Sequence, residues 1–399
     1  MGKNIVILCD GTSNEVSADR TNILRLFGTL EKNDRQVVFY DPGVGTFGAE
    51  NSVSYYYRKA VEIWGLATGW GLDVNVKEAY RFVVSHYDPD RKGEDADRLY
   101  LFGFSRGAYT ARVLAGFIRA VGLIPRENLN LLDYAYRAYK DIGLNVDNGK
   151  KEEEGNSKAA FAEINLYQRI LQPKTISIKL LGLFDTVGSV IESGRYGPRL
   201  RSHAFTRTNT SVEHVRHALA IHERRTMFQP QLWSAGIDFR PIPFTEKGAV
   251  PQDVKEVWFS GVHGDIGGGY REKDSGLAKV TLEWMIEETK PFGLLYKTKT
   301  VNDIVLGKKK NSTYVGPDAK ARRNESMNPA WSILEIIPRK RSKYSEAAEN
   351  GQGGWYIPMG RARTIPEGAW IHKSVKERFD ADPEERPKNL PPTFNVTAS

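Results

Sequence analysis

Arg98-Leu99-Tyr100-Leu101-Phe102-Gly103-Phe104-Ser105-Arg106-Gly107-Ala108-Tyr109-Thr110-Ala111-Arg112 is the stretch on which the fold turns. Its opening residues are an apolar run ending at glycine, which reads as a buried strand. Its closing residues are small and helix-compatible. Val113, Leu114, Phe117, Ile118 and Val121 continue it at a 3.6-residue period until Gly122 and Pro125 stop the helix. Between the two lies Gly103-x-Ser105-x-Gly107. A serine set between a strand and a helix in this pattern is the setting of a nucleophile elbow. The turn is sharp and strained, so side chains in place of Gly103 or Gly107 would collide with neighbouring chain. The hydroxyl of Ser105 is then raised above the sheet at a helix N-terminus, where peptide dipoles favour developing negative charge. The backbone N–H of Arg106 is the first expected oxyanion donor.

Similar runs recur on both sides. Ile5-Val6-Ile7-Leu8 ends at Asp10-Gly11-Thr12, and Gln36-Val37-Val38-Phe39-Tyr40 ends at Asp41-Pro42-Gly43. Ile176 to Phe184 ends at Asp185, and Glu256-Val257-Trp258-Phe259 ends shortly before His263. Helical patterns around Val74–Val84 and Leu277–Ile286 alternate with them. Strands alternating with helices predict an α/β fold, a mostly parallel, doubly wound sheet with function at the carboxyl ends of its strands. Three stretches stand apart. Residues 48–71 are rich in glycine and aromatics and could cap a site, 146–158 read as a polar loop, and 291–399 read as a basic extension packed on a catalytic domain spanning 1–290.

A serine hydroxyl needs a base at neutral pH. Of seven histidines, His263 is best placed, because it follows an apolar strand and opens the glycine-rich segment 261–269. His372, near the C-terminus, is the rival base. His214, His217 and His222 resemble a metal set by count, but a helical register would scatter them around the helix, and no carboxylate or cysteine spacing supports zinc. The imidazole needs a carboxylate to fix its tautomer. Asp185 at a strand end is the first choice, and it gives the chain order Ser…Asp…His of this architecture. Asp265 competes. Gly11 or Thr12, after the first strand, is expected to supply the second oxyanion donor, with Asp10 bracing that loop or, alternatively, helping to bind a metal.

The chain has 399 residues, 27% charged and 40% hydrophobic, which excludes disorder and coiled coil as whole-chain descriptions. No apolar run approaches a bilayer-spanning length of roughly 20 residues. Met1-Gly2-Lys3-Asn4 leads into too short an apolar run for a secretory signal. A single cysteine makes no internal disulfide. These features predict a protein made in the cytoplasm, and export without a cleavable signal is compatible with them. The net charge is +8, and residues 290–343 hold 13 Lys or Arg against 4 Asp or Glu. That block suits a solvated face or an anionic membrane surface. With no aromatic platform between the charges it does not suggest nucleic acid.

The long segment around Ser105, together with Asp10-Gly11-Thr12-Ser13-Asn14, Pro42-Gly43-Val44-Gly45-Thr46, Phe184-Asp185-Thr186-Val187-Gly188, Glu223-Arg224-Arg225 and Gly261 to Tyr270, resembles the α/β-hydrolase-like family catalogued as domain of unknown function 2235. That family includes type VI secretion phospholipase effectors. The resemblance spans about residues 4–290. It departs at Ser13, where an aromatic is frequent, at His222, where an aspartate is common, and at Gly264, where a serine is common. It implies ester hydrolysis, often of phospholipid acyl esters, by a Ser-Asp-His triad, carried here by Ser105, Asp185 and His263. No cofactor is expected, and the substrate would be a lipid or a small ester. A secretion or immunity partner is left unidentified. The alternatives are a soluble carboxylesterase, a metal-dependent phosphoryl-transfer hydrolase, and a binding module that keeps a hydrolase frame.

Overall fold

The computed structural model describes residues 2–11, 20–43, 70–146, 153–188, 190–194, 197–201, 203–242, 245–340 and 355–398. Its centre is an eight-stranded sheet. In chain order the strands are β1 (Asn4–Cys9), β2 (Gln36–Asp41), β3 (Arg98–Phe104), β4 (Ile178–Phe184), β5 (Val212–Ala220), β6 (Asp253–Phe259), β7 (Trp370–Ile371) and β8 (Asn395–Val396). Their spatial order is 2-1-3-4-5-6-7-8, and every pairing in this sheet is parallel. The expected α/β class is therefore what the chain adopts.

Parallel strands buried on both faces must be apolar at successive positions. β1 shows how this works. Ile5, Ile7 and Cys9 enter one core, and Val6 and Leu8 enter the other. The first core lies under α2 (Trp70–His86), α3 (Arg106–Val121), α4 (Leu132–Val146) and α5 (Glu153–Leu171). The second lies under α1 (Asn22–Thr29) and α7 (Gly276–Thr289), with the short α6 (His263–Gly267) at the sheet edge.

Several expectations change. β5 is a strand, so His214 and His217 do not stand on a helix. Their polarity is absorbed by partners: His214 and Arg216 meet Asp253, Arg216 also meets Glu288, and His217 meets Glu256. The expected polar loop over 146–158 gives way to helix from Glu153 onward. The glycine-rich segment after β6 holds the helical turns of α6. Residues 291–399 supply β7 and β8, so they extend the central sheet itself. The suggested cap over 48–71 lies almost entirely outside the described residues, with only Trp70 and Gly71 seen, opening α2.

Registers across the sheet place the strand tips side by side. Cys9 pairs with Gly103, Phe104 with Phe184, Phe184 with Ala218, Ala220 with Phe259, and Trp258 with Ile371. Asp10, Ser105, Asp185, His263 and His372 all leave the sheet along this one edge. The strand order reverses direction at β1 and β3, where a doubly wound sheet opens its crevice.

Candidate active site

Ser105 caps α3 with φ 58° and ψ −121°, a conformation costly for a residue with a side chain. The surroundings enforce it. Its N–H donates to the Phe184 carbonyl at 3.0 Å, tying the tip of β3 to that of β4. A Cβ on Gly107 would lie 2.2 Å from the Cys9 carbonyl oxygen, and one on Gly103 would lie 2.4 Å from the Gly107 oxygen. Both glycines are therefore needed for the helix to start this close to β1 and β3. The first amide of α3 belongs to Arg106, as an oxyanion donor would require.

Asp185 follows β4 with φ 41° and is wholly buried. Its N–H donates to the Ala218 carbonyl, and its Oδ1 accepts from the Ala220 N–H at 3.0 Å. The paired β5 tip thus holds the carboxylate on both sides. His263 Nδ1 lies 2.6 Å from Asp185 Oδ2. The carboxylate only accepts, so Nδ1 carries the proton and Nε2 is left as the working nitrogen. The His263 N–H donates to Glu223 Oε2 at 3.2 Å, which fixes the start of α6. The imidazole packs against Phe104, the residue before Ser105, at 4.7 Å between ring centres, and against Phe228 at 4.9 Å.

The electrostatics follow from burial and partners. Burial pushes the Asp185 carboxyl up, but the Arg363 guanidinium and the His263 hydrogen bond outweigh it and hold the group well below the usual carboxylate range. Burial lowers His263 against the pull of Asp185, so the ring is neutral at pH 7 and able to take a proton. Burial also lifts Asp265, to about 6.

The other candidates divide. Asp265 is engaged with Val262 and Asn324, accepting from the Val262 N–H and from Asn324 Nδ2 at 2.7 Å. His372 caps α8 (Lys373–Ala381), where its Nδ1 accepts from the Ser374 N–H, and it stacks on Phe259. The carboxylate at the β4 tip meets His263 and not this rival. Asp10 accepts from the Gly11 N–H at 2.7 Å, the Thr21 hydroxyl at 2.5 Å and the Tyr40 hydroxyl at 2.9 Å. These bonds hold the loop after β1, and the Gly11 N–H is engaged by Asp10. Thr12 lies outside the described residues. Among the described residues no three His, Cys, Asp or Glu side chains converge as metal ligands would.

Two neighbours of the His263–Asp185 pair were given no role in the sequence reading. Arg363 forks onto Asp185, Nη1 to Oδ1 at 2.6 Å and Nη2 to Oδ2 at 2.9 Å. Glu223, almost wholly buried, gathers the N–H groups of Arg224, Arg225 and His263 and the Arg225 guanidinium. The Glu223-Arg224-Arg225 triplet entered the sequence reading only as part of the family resemblance, without its partners.

An eight-stranded parallel sheet flanked by helices, with a strained serine at the β3 tip and a histidine–aspartate pair packed on the residue before it, is an α/β-hydrolase-like frame. Residues 3–288 match the family described as "T6SS, Phospholipase effector Tle1-like, catalytic domain", and the chain belongs to that family. A relative in Saccharomyces cerevisiae, "Uncharacterized protein YEL023C", is 24% identical, with the match covering 98% of this chain and 81% of that protein. Two solved structures are more distant. One is an uncharacterized protein from Pseudomonas aeruginosa, 20% identical, TM-score 0.37, covering 74% of this chain and 46% of its own. The other is the Tle1 effector bound to the VgrG spike of the type VI secretion system, 19% identical, TM-score 0.34, covering 69% and 52%. The chain thus spans about half the length of these two structures. Among the described residues no helix is long and apolar enough to cross a membrane.

Proposed function

We propose that the chain is a serine hydrolase of carboxylic esters, with phospholipid acyl esters as its first substrate class. Ser105 Oγ attacks the ester carbonyl while His263 Nε2 takes its proton. The Arg106 N–H, at the start of α3, faces the developing oxyanion. His263 then gives the proton to the leaving alcohol, and the acyl group remains on Ser105. Water, deprotonated by the same imidazole, attacks the acyl-enzyme and frees the acid. Asp185 keeps the Nδ1 proton in place and offsets the imidazolium charge as it forms. The observation that carries this reading is the 2.6 Å bond between His263 and Asp185, with the imidazole packed on Phe104, the residue before a serine held in elbow geometry.

The lipid preference has its own support. Trp331 packs on Phe228, which packs on His263, and residues 333–337 and 355–359 expose Ile333, Ile336, Ile337, Trp355, Ile357 and Met359. Large exposed apolar side chains of this kind suit contact with acyl chains or an aggregate surface better than a dissolved substrate. The basic stretch 290–343 suits anionic headgroups. Delivery through a secretion spike is a separate proposal for this chain, tested by co-purification with such a spike.

The test is a panel of short soluble esters and phospholipid vesicles, run on the wild type and Ser105→Ala. The reading requires ester turnover that disappears in the variant while the circular dichroism spectrum is kept. A wild-type rate on vesicles above that on short esters, falling with added salt, supports the phospholipase assignment. Equal turnover of short esters without vesicle binding supports a soluble carboxylesterase.

A further inference from the structure

Arg363 stands well beyond residue 288, where the family match ends, yet it occupies the centre of the site. It is 1% exposed. Besides the fork on Asp185, its Nη1 donates to the Ala220 carbonyl at 2.9 Å and its Nη2 to that of Phe228. Its own carbonyl accepts from Asn389 Nδ2, which also holds the Ile221 carbonyl. The C-terminal segment is thereby fastened to the end of β5 with the guanidinium fixed between the tips of β4 and β5.

The need for such a group follows from the burial of Asp185. An ionised carboxylate removed from water is costly unless it is paired. A neutral imidazole supplies one hydrogen bond and no charge. Arginine supplies a permanent charge and two donors at carboxylate spacing. With Arg363 in place, Asp185 stays ionised while His263 is neutral. The same cation makes a second positive charge on His263 less favourable than it would be beside an unpaired aspartate.

The remaining charges around the pair are named easily. Glu223 and Arg225, after β5, face His263 from one side. Asp265, on the same helix as His263, is engaged with Asn324. His217 of β5 lies near Asp185, with its Nδ1 on Glu256 of β6. None of these hydrogen-bonds both Asp185 oxygens as Arg363 does.

We propose that Arg363 is a positioning residue of this site, holding Asp185 ionised and in line and setting the pH at which His263 becomes a working base. The proposal rests on the hydrolase reading and deepens it by making the C-terminal segment part of the catalytic unit.

The experiment follows the His263 ring by ¹⁵N NMR across pH in the full chain, in a Ser105→Ala background, with Arg363 and with Arg363→Met or Arg363→Lys. The same Arg363 substitutions on the active enzyme give the pH dependence of kcat/KM on a soluble ester. Removing the cation favours proton uptake by the Asp185–His263 pair. The His263 midpoint in Arg363→Met is therefore expected to rise by about one pH unit, and the acid limb of kcat/KM to rise with it. Arg363→Lys, which keeps the charge without the fork, should shift less and recover part of the rate. Should Arg363→Met fail to fold, the upward shift in Arg363→Lys decides. A folded variant whose His263 midpoint and acid limb are unmoved overturns the proposal, even with lowered thermal stability. The ring titration needs no turnover. A shifted midpoint in a protein without esterase activity would support the Arg363 role and count against the hydrolase reading, whereas full activity with no shift would do the reverse.

Discussion

His263 and His372 leave neighbouring strands, β6 and β7, at the same edge of the sheet, and both are buried. Each packs on a phenylalanine, Phe104 for the first and Phe259 for the second, and each stands at the start of a helix. Burial lowers both, His372 to about 4. Only His263 meets a carboxylate at a strand tip. His372 spends its Nδ1 on the first turn of α8, at Ser374. Position at the sheet edge and burial thus do not make a base. On the proposed reading the partner on the second ring nitrogen does, because it fixes the tautomer and offsets the imidazolium charge.

The largest effect expected from this contrast is at His263. His263→Gln should lower kcat/KM by about four orders of magnitude or more, read on any ester the wild type turns over, with the fold kept. A drop below tenfold would break the comparison. Asp185→Asn comes next, at about 10⁴-fold in kcat, because an amide favours the wrong tautomer of His263. Since it also leaves Arg363 without its counter-charge, thermal stability should fall along with the rate. A variant that loses stability and keeps its rate would reduce Asp185 to a structural turn.

Acidification sharpens the same contrast. His372 and His222 are held below the ordinary imidazole value of 6.5, to about 4 and about 3, chiefly by burial. Their folded pKa values lie below the unfolded one, so between these limits the unfolded chain binds more protons. The stability they contribute is complete above pH 6.5 and is lost as pH falls toward 4. The melting temperature should therefore decline over that window, and less steeply in His372→Gln. An identical slope in both proteins would contradict the assignment. The smallest effect is His372→Gln at pH 7.5, with kcat/KM unchanged and a loss of about 1 kcal/mol for the missing cap, measured by denaturant unfolding.

Much of the frame was legible from the chain, and the reasons are local. β1, β3 and β4 are buried on both faces, so they read as unbroken apolar runs, and the Ser105 turn announces itself through Gly103 and Gly107. β5 did not read as a strand, because Val212–Ala220 carries His214, Arg216 and His217, whose charges are met by Asp253, Glu288 and Glu256 from distant chain. α5 was missed because its first turns are charged and polar. Arg363 was invisible for a stronger reason. It lies in a glycine- and proline-containing stretch with no periodicity, and its partner is 178 residues away. The choice between His263 and His372 was likewise a question of which one reaches Asp185, and spacing does not encode that.

The central claim is that Ser105 is a nucleophile activated by His263. Its most direct test is fluorophosphonate labelling followed by peptide mass spectrometry on the wild type, His263→Ala and His372→Ala. The account predicts a single adduct on Ser105 in the wild type and in His372→Ala, and its loss in His263→Ala. An adduct on another residue, or equal labelling of Ser105 in all three proteins, would contradict it.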